Sequence, residues 1–234
     1  MNTLSVSKTP LTRAFLLVKF FLLTLVLLPL FYGLTACKKN VDYFSYVSEL
    51  RNNILLAETD GFSLKIYGVD KETPYATDGI PKEVTTRTEV YLIAPEGNET
   101  CTIAFTINGK EYGGEMSFDN VKTEYFLSCT LDISACSSIR CKITYGDQVM
   151  DMEALSVLKA DTLTPQNVLN IIQTENAELF TAMTDKYGFS GEIYIRLIYE
   201  DAPYYYVGII DRNGSIHAFL INATSGKILA KRES

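Results

Sequence analysis

Between residues 62 and 157 the chain alternates apolar and polar residues one for one in about seven short runs, separated by turn-forming residues. Phe62, Leu64 and Ile66 alternate with Ser63, Lys65 and Tyr67, and Cys101–Ile107 and Ile139–Tyr145 repeat the pattern. A period of two puts successive side chains on opposite faces of a strand, so the pattern fits half-buried sheet and excludes helix. Further strands are expected at Glu89–Ala94, Tyr112–Phe118, Tyr125–Ile133 and Val149–Val157. Asn108-Gly109 between two such runs predicts a tight type I′ hairpin, whose two central residues need positive φ.

Many short strands with turns between them predict an antiparallel, immunoglobulin-like β-sandwich over residues 61–160. Ahead of it, Tyr43, Val47, Leu50, Ile54 and Ala57 recur at three- and four-residue steps, which predicts a short helix over Asp42–Glu58. The polar stretch Val69–Thr88 reads as a long exposed loop. A boundary is expected at Lys159–Leu163. There Thr164-Pro165 offers an N-cap and a first-turn proline, and the helix should run to Lys186 before Gly188 stops it. Runs at Glu192–Glu200, Tyr204–Asp211, Ser215–Asn222 and Lys227–Lys231 predict an antiparallel meander packed on that helix. Residues 161–234 then form a small α+β unit, and the fold class as a whole is mainly β with an α+β part.

The N-terminus has the layout of an export signal. Lys8, Arg13 and Lys19 precede an uncharged, mostly Leu, Phe and Val stretch from Phe20 to Cys37. It ends in Leu34-Thr35-Ala36-Cys37, which resembles the lipobox of bacterial lipoproteins. The resemblance implies a signal peptide over residues 1–36 and a diacylglyceryl group on the thiol of Cys37, the first residue of a mature chain whose tether occupies 37–60. It also implies a location on the extracytoplasmic face of the cell membrane, with the membrane itself as partner through that anchor. The alternative is an uncleaved membrane helix, since the uncharged run approaches the ~20 residues that span a bilayer.

Removing the leader removes three basic and no acidic residues, which leaves 18 basic against 28 acidic. Phosphate-backbone binding draws on many Lys and Arg contacts, so nucleic acid is excluded as a partner. One His and no Trp leave little for metal or imidazole chemistry, and no cofactor, metal or catalytic residue is expected. Besides Cys37 there are four cysteines: Cys101, Cys129, Cys136 and Cys141. In an exported chain they suggest disulfides, with Cys101–Cys141 or Cys129–Cys141 as expected partners and buried free thiols as the alternative.

The segment Ile221-Asn222-Ala223-Thr224-Ser225-Gly226-Lys227-Ile228-Leu229, behind a helix and an antiparallel sheet, resembles the closing turn of a PepSY domain. That resemblance implies inhibition or regulation of an exported protease. The whole chain also resembles Gram-positive lipoproteins of unassigned activity. Tyr204, Tyr205 and Tyr206 offer flat rings with polar handles, a possible surface for a protein, peptide or glycan. His217 lacks a second ligand and reads as a surface-strand residue. Glu200-Asp201 has the residue type, without the partner, of a glycosidase carboxylate pair. Asp211–Ser215 resembles a calcium loop without its last acidic ligand and reads as a hairpin. Sequons at Asn98, Asn213 and Asn222 matter only in a eukaryotic secretory pathway. The expected function is a non-enzymatic binding module, with protease regulation next and surface hydrolysis last.

Overall fold

The computed structural model describes residues 41–74, 76, 78–95 and 99–234. Cys37, the leader and Asn98 lie outside them. After a 3₁₀ turn at Tyr43–Tyr46 come β1 (Val47–Thr59), β2 (Phe62–Glu72), β3 (Val84–Ile93), β4 (Cys101–Ile107), β5 (Lys110–Glu115), β6 (Ser117–Asp119), β7 (Glu124–Cys129), β8 (Ser138–Tyr145) and β9 (Gln148–Ser156). Helices α1 (Pro165–Glu175) and α2 (Ala177–Ala182) and a small hairpin of β10 (Thr184–Asp185) and β11 (Gly188–Phe189) follow. The chain closes with β12 (Gly191–Tyr199), β13 (Pro203–Asp211), β14 (Ile216–Asn222) and β15 (Ile228–Glu233).

The strands join in the order β15-β14-β13-β12-β1-β2-β3-β7-β6, and a branch β9-β8-β4-β5 leaves β1 at Leu55 and Leu56. The fold is mainly β and sandwich-like. Among the described residues every strand pair is antiparallel except one: β1 runs parallel to β12, with Glu49 opposite Tyr194 and Arg51 opposite Arg196. One core lies between the branch and β2-β3, built from Leu55, Leu64, Ile66, Val90, Leu92, Ile103, Ile139 and Ile143. The other lies between the helices and the meander, where Val168, Leu169, Ile172 and Phe180 meet Ile193, Ile195, Leu197, Val207 and Ile209. Burying each such Leu, Ile or Phe side chain contributes roughly 1.5–3 kcal/mol, which makes these two layers the main driving force. The two expected units are thus two cores on one continuous sheet. β1 feeds both, Leu55 to the first and Ile54 to the second.

The helix expected over Asp42–Glu58 is replaced by the 3₁₀ turn and β1. The register of β1 shifts between Val47 and Glu49 against β12, and between Arg51 and Asn53 against β2. Each irregularity moves the alternation by one residue, so apolar residues fall at helix-like spacing on a strand. Buried Asn53 fastens the strand in place. Its side-chain amide donates to the carbonyls of Ile133 (2.8 Å) and Cys136 (2.9 Å), and its Oδ1 accepts from the Ser156 hydroxyl (2.7 Å). The expected Val69–Thr88 loop is also shorter. β2 and β3 stay paired out to Glu72 and Val84, which leaves residues 73–83 as the connection.

Thr164 caps α1 as expected, accepting from Asn167 N–H at 3.2 Å ahead of Pro165. The helix does not reach Lys186. Asn176, at φ −130°, interrupts it, and its side-chain amide donates to the Ile172 carbonyl at 2.8 Å. Asn108 and Gly109 take φ of 49° and 78°, the conformation a type I′ turn requires.

Candidate functional site

Strand alternation turns Ile66, Val90, Leu92 and Tyr125 into the first core and their neighbours Tyr67, Tyr91 and Phe126 to the opposite face of β2, β3 and β7. There the rings form a row. The Tyr67 and Tyr91 centroids lie 5.4 Å apart and those of Tyr91 and Phe126 5.1 Å, and the Arg51 guanidinium sits 4.2 Å above Tyr67. All four residues are half-buried. Arg51 Nη1 also donates to the Leu197 carbonyl at 3.4 Å, which ties the row to β12. The Tyr91 hydroxyl donates to Glu89 Oε2 at 3.0 Å. Burial and the Glu89 carboxylate hold that hydroxyl well above the ordinary tyrosine range, and burial raises Tyr67 against the opposing pull of Arg51.

Two residues before Arg51 on the same strand, Glu49 begins a second arm. Arg196 grips its carboxylate with two parallel bonds, Nε to Oε1 at 2.9 Å and Nη2 to Oε2 at 2.5 Å. The guanidinium lies 4.5 Å from the Tyr194 ring, which packs on Tyr206 at 5.7 Å. Gly208 makes room for Tyr194, since a Cβ there would come within 1.9 Å of the ring. Each ring pair contributes about 0.5–1.5 kcal/mol beyond its burial and each cation–π contact about 0.5–2 kcal/mol. The stripe from Phe126 to Tyr206 is therefore fixed in place by its own contacts.

A buried polar cluster closes the strand ends beside it. Ser48 donates its hydroxyl to Glu192 Oε1 at 2.9 Å, and Gly79 N–H reaches Glu192 Oε2 at 2.8 Å. Glu72 is 1 % exposed, and its Oε1 accepts from Lys82 N–H at 2.5 Å. Burial raises the Glu72 carboxyl above its ordinary range, the nearby Glu192 adds to the rise, and the Lys82 N–H opposes it. Gly79 and Lys82 thus pin the connection between β2 and β3 to two buried carboxylates. Gly79, at φ +72°, lies so close to the Asp211 carbonyl that a Cβ would approach it to 2.7 Å. Nothing in the local sequence flags Ser48, Glu72 or Glu192, because their strand ends meet only through the parallel β1–β12 pair.

The tyrosine triplet divides. Tyr205 faces the helices, buried, with its hydroxyl on the Leu163 carbonyl at 2.9 Å, so it is not part of a surface. Tyr206 joins the stripe, and Tyr204 donates to Asp201 Oδ1 at 3.1 Å. Glu200 and Asp201 occupy an exposed turn, and His217 Nδ1 lies 3.7 Å from Glu233 on the neighbouring strand. Asp211 Oδ1 accepts from Asn213 and Ser215 N–H in a hairpin turn. No group of three or more His, Cys, Asp or Glu among the described residues is placed to hold a metal ion.

The four cysteines Cys101, Cys129, Cys136 and Cys141 are free thiols. Cys101 and Cys141 point inward as the alternation predicts, but Cys101 stands opposite Tyr145 and Cys141 opposite Phe105. That four-residue offset separates them by roughly 13 Å along the strands, whereas a disulfide needs Cα atoms within about 7 Å. The expected Cys101–Cys141 bridge is therefore excluded by register, and Cys129–Cys141 is not formed.

A depression of about 900 Å³ opens over β4, β5, β8 and β9, where Glu111, Arg140, Lys142, Asp151 and Glu153 mix both signs of charge. With these geometries in view, comparison with known proteins adds no relative: no family model matches the chain, and no curated protein or solved structure matches it.

Proposed function

We propose that the chain is a lipoprotein anchored through Cys37 on the extracytoplasmic face of a membrane. There it acts as a non-enzymatic binding module for a protein, peptide or glycan. The anchor rests on the basic leader and the Leu34-Thr35-Ala36-Cys37 motif. The binding role rests on one observation above all, the half-exposed row Arg51–Tyr67–Tyr91–Phe126 across four neighbouring strands. Flat rings carrying hydroxyls meet both the apolar faces and the polar edges of sugars and peptides, and rings held rigid in advance lose little freedom on binding.

The test is retention of the full-length protein on panels of cell-wall glycans and peptides, with Tyr67→Ala and Tyr91→Ala beside the wild type. Retention lost in both variants, with folding intact, is the expected result. Hydrolysis of a panel member, abolished by Glu200→Gln or Asp201→Asn, overturns the non-enzymatic reading.

A second reading, regulation of an exported protease, is favoured by the packing of α1 on the β12–β14 meander. The Asn222–Gly226 turn adds to it: Asn222 Oδ1 caps Thr224 and Ser225, and Gly226 takes φ +72°. Failure of the full-length protein to slow secreted proteases of its own source removes it.

A further inference from the structure

We propose that the β10–β11 hairpin is a membrane contact, its tip Lys186-Tyr187 lying in the phospholipid headgroup region. The inference rests on the anchor at Cys37. Three residues separate Cys37 from Val41, and the four steps between them reach at most about 14 Å when fully extended. Where that tether enters the fold, it is fastened to this hairpin. The Tyr43 ring packs edge-on against Phe180 and Phe189, with centroids at 4.8 and 5.3 Å, and its hydroxyl lies 3.2 Å from Thr184 Oγ1. Tyr46 packs on Phe189 at 5.3 Å, and its hydroxyl accepts the Phe189 N–H at 3.2 Å. Gly188, at φ +130°, leaves space for that hydroxyl, which a Cβ would meet at 2.5 Å.

With the anchor in place, so short a tether holds the point where the chain enters the fold, and the hairpin packed on it, near the bilayer. Its turn presents an aromatic ring that is 80 % exposed, with the Lys186 ammonium 4.8 Å from the ring centroid. Tyrosine and lysine side chains prefer the membrane interface, the ring at headgroup depth and the lysine with its stem buried and its charge in water. Lys38 and Lys39 add positive charge to the tether, while Asp42 and Asp185 are tied to backbone N–H groups of Phe44 and Tyr187. Two points of attachment, acyl chains and hairpin, set the orientation of the body over the bilayer.

The chain has no tryptophan, so one introduced residue reports alone. Full-length lipidated protein carrying Tyr187→Trp is placed on vesicles of phosphatidylcholine and phosphatidylglycerol, part of them with brominated acyl chains. Val121→Trp, in the β6–β7 turn where Val121 is 93 % exposed, serves as comparison. Flotation is measured on the same samples. The expected result is flotation of both proteins, with emission from position 187 blue-shifted and quenched several-fold more strongly than from position 121. Flotation with equal or absent quenching at the two positions overturns the hairpin contact and leaves the anchor standing. Absence of flotation overturns the anchor, and the hairpin contact with it.

Discussion

Replacing Arg196 with Leu removes both donors from a Glu49 carboxylate that is only 5 % exposed, while the arginine itself is 29 % exposed. A buried carboxylate left without its partner costs about 3–5 kcal/mol. The reverse change, Glu49→Leu, leaves a guanidinium that still reaches water and still lies against Tyr194, so its cost is smaller, about 1–3 kcal/mol. The double variant Glu49→Leu/Arg196→Leu removes both charges together and should lose less than the sum of the single changes by about 2–3 kcal/mol. Urea unfolding reads all three. With a slope of about 3 kcal/mol/M, Arg196→Leu lowers the midpoint by roughly 1–1.7 M. A smaller shift for Arg196→Leu than for Glu49→Leu, or strict additivity in the double variant, refutes the reasoning.

Gly208→Ala gains about 0.4–1 kcal/mol in the unfolded chain but forces the Tyr194 ring aside at about 1–3 kcal/mol, so thermal unfolding should show a net loss that disappears in a Tyr194→Ala background. Glu72→Gln follows from the raised folded-state pKa. The wild-type carboxyl contributes most below its ordinary value of 4.5 and loses that contribution as pH rises through the raised value, so the variant should be the more stable protein at pH 7 and gain nothing at pH 4. Unfolding midpoints across that range check the sign, and a gain confined to acid contradicts it. Burial pushes the Cys101 thiol up to about 11 and Cys141 up to about 12, so a thiol reagent at pH 8 should modify half-buried Cys129 and Cys136 first. Native-state labelling of Cys141 as fast as Cys136 contradicts the packing.

Local signals carried far in this chain. Alternation located β4, β5, β7, β8, β9 and the inner parts of β2 and β3, Asn108-Gly109 located its hairpin, and Thr164-Pro165 located the start of α1, because each depends on neighbours within a few residues. β1 was not legible as a strand. Its two register shifts convert period two into helix-like spacing, and Ser48, Glu49 and Asn53 are buried polar residues whose partners Glu192, Arg196 and Ser156 lie more than a hundred positions away. For the same reason the aromatic stripe was visible only at its edge, through Tyr206. Tyr67, Tyr91 and Phe126 meet only because β2, β3 and β7 are adjacent, and β7 reaches β3 after the intervening branch strands. The expected Cys101–Cys141 bridge failed on register, which fixes spacing along the strands as well as facing.

Intact mass spectrometry of the membrane-extracted native protein, with and without reductant, tests the central claim most directly. The account predicts the mass of residues 37–234 plus acyl groups, unchanged by reduction. The mass of the full unmodified chain contradicts the anchor, and a gain of mass on reduction contradicts the free thiols.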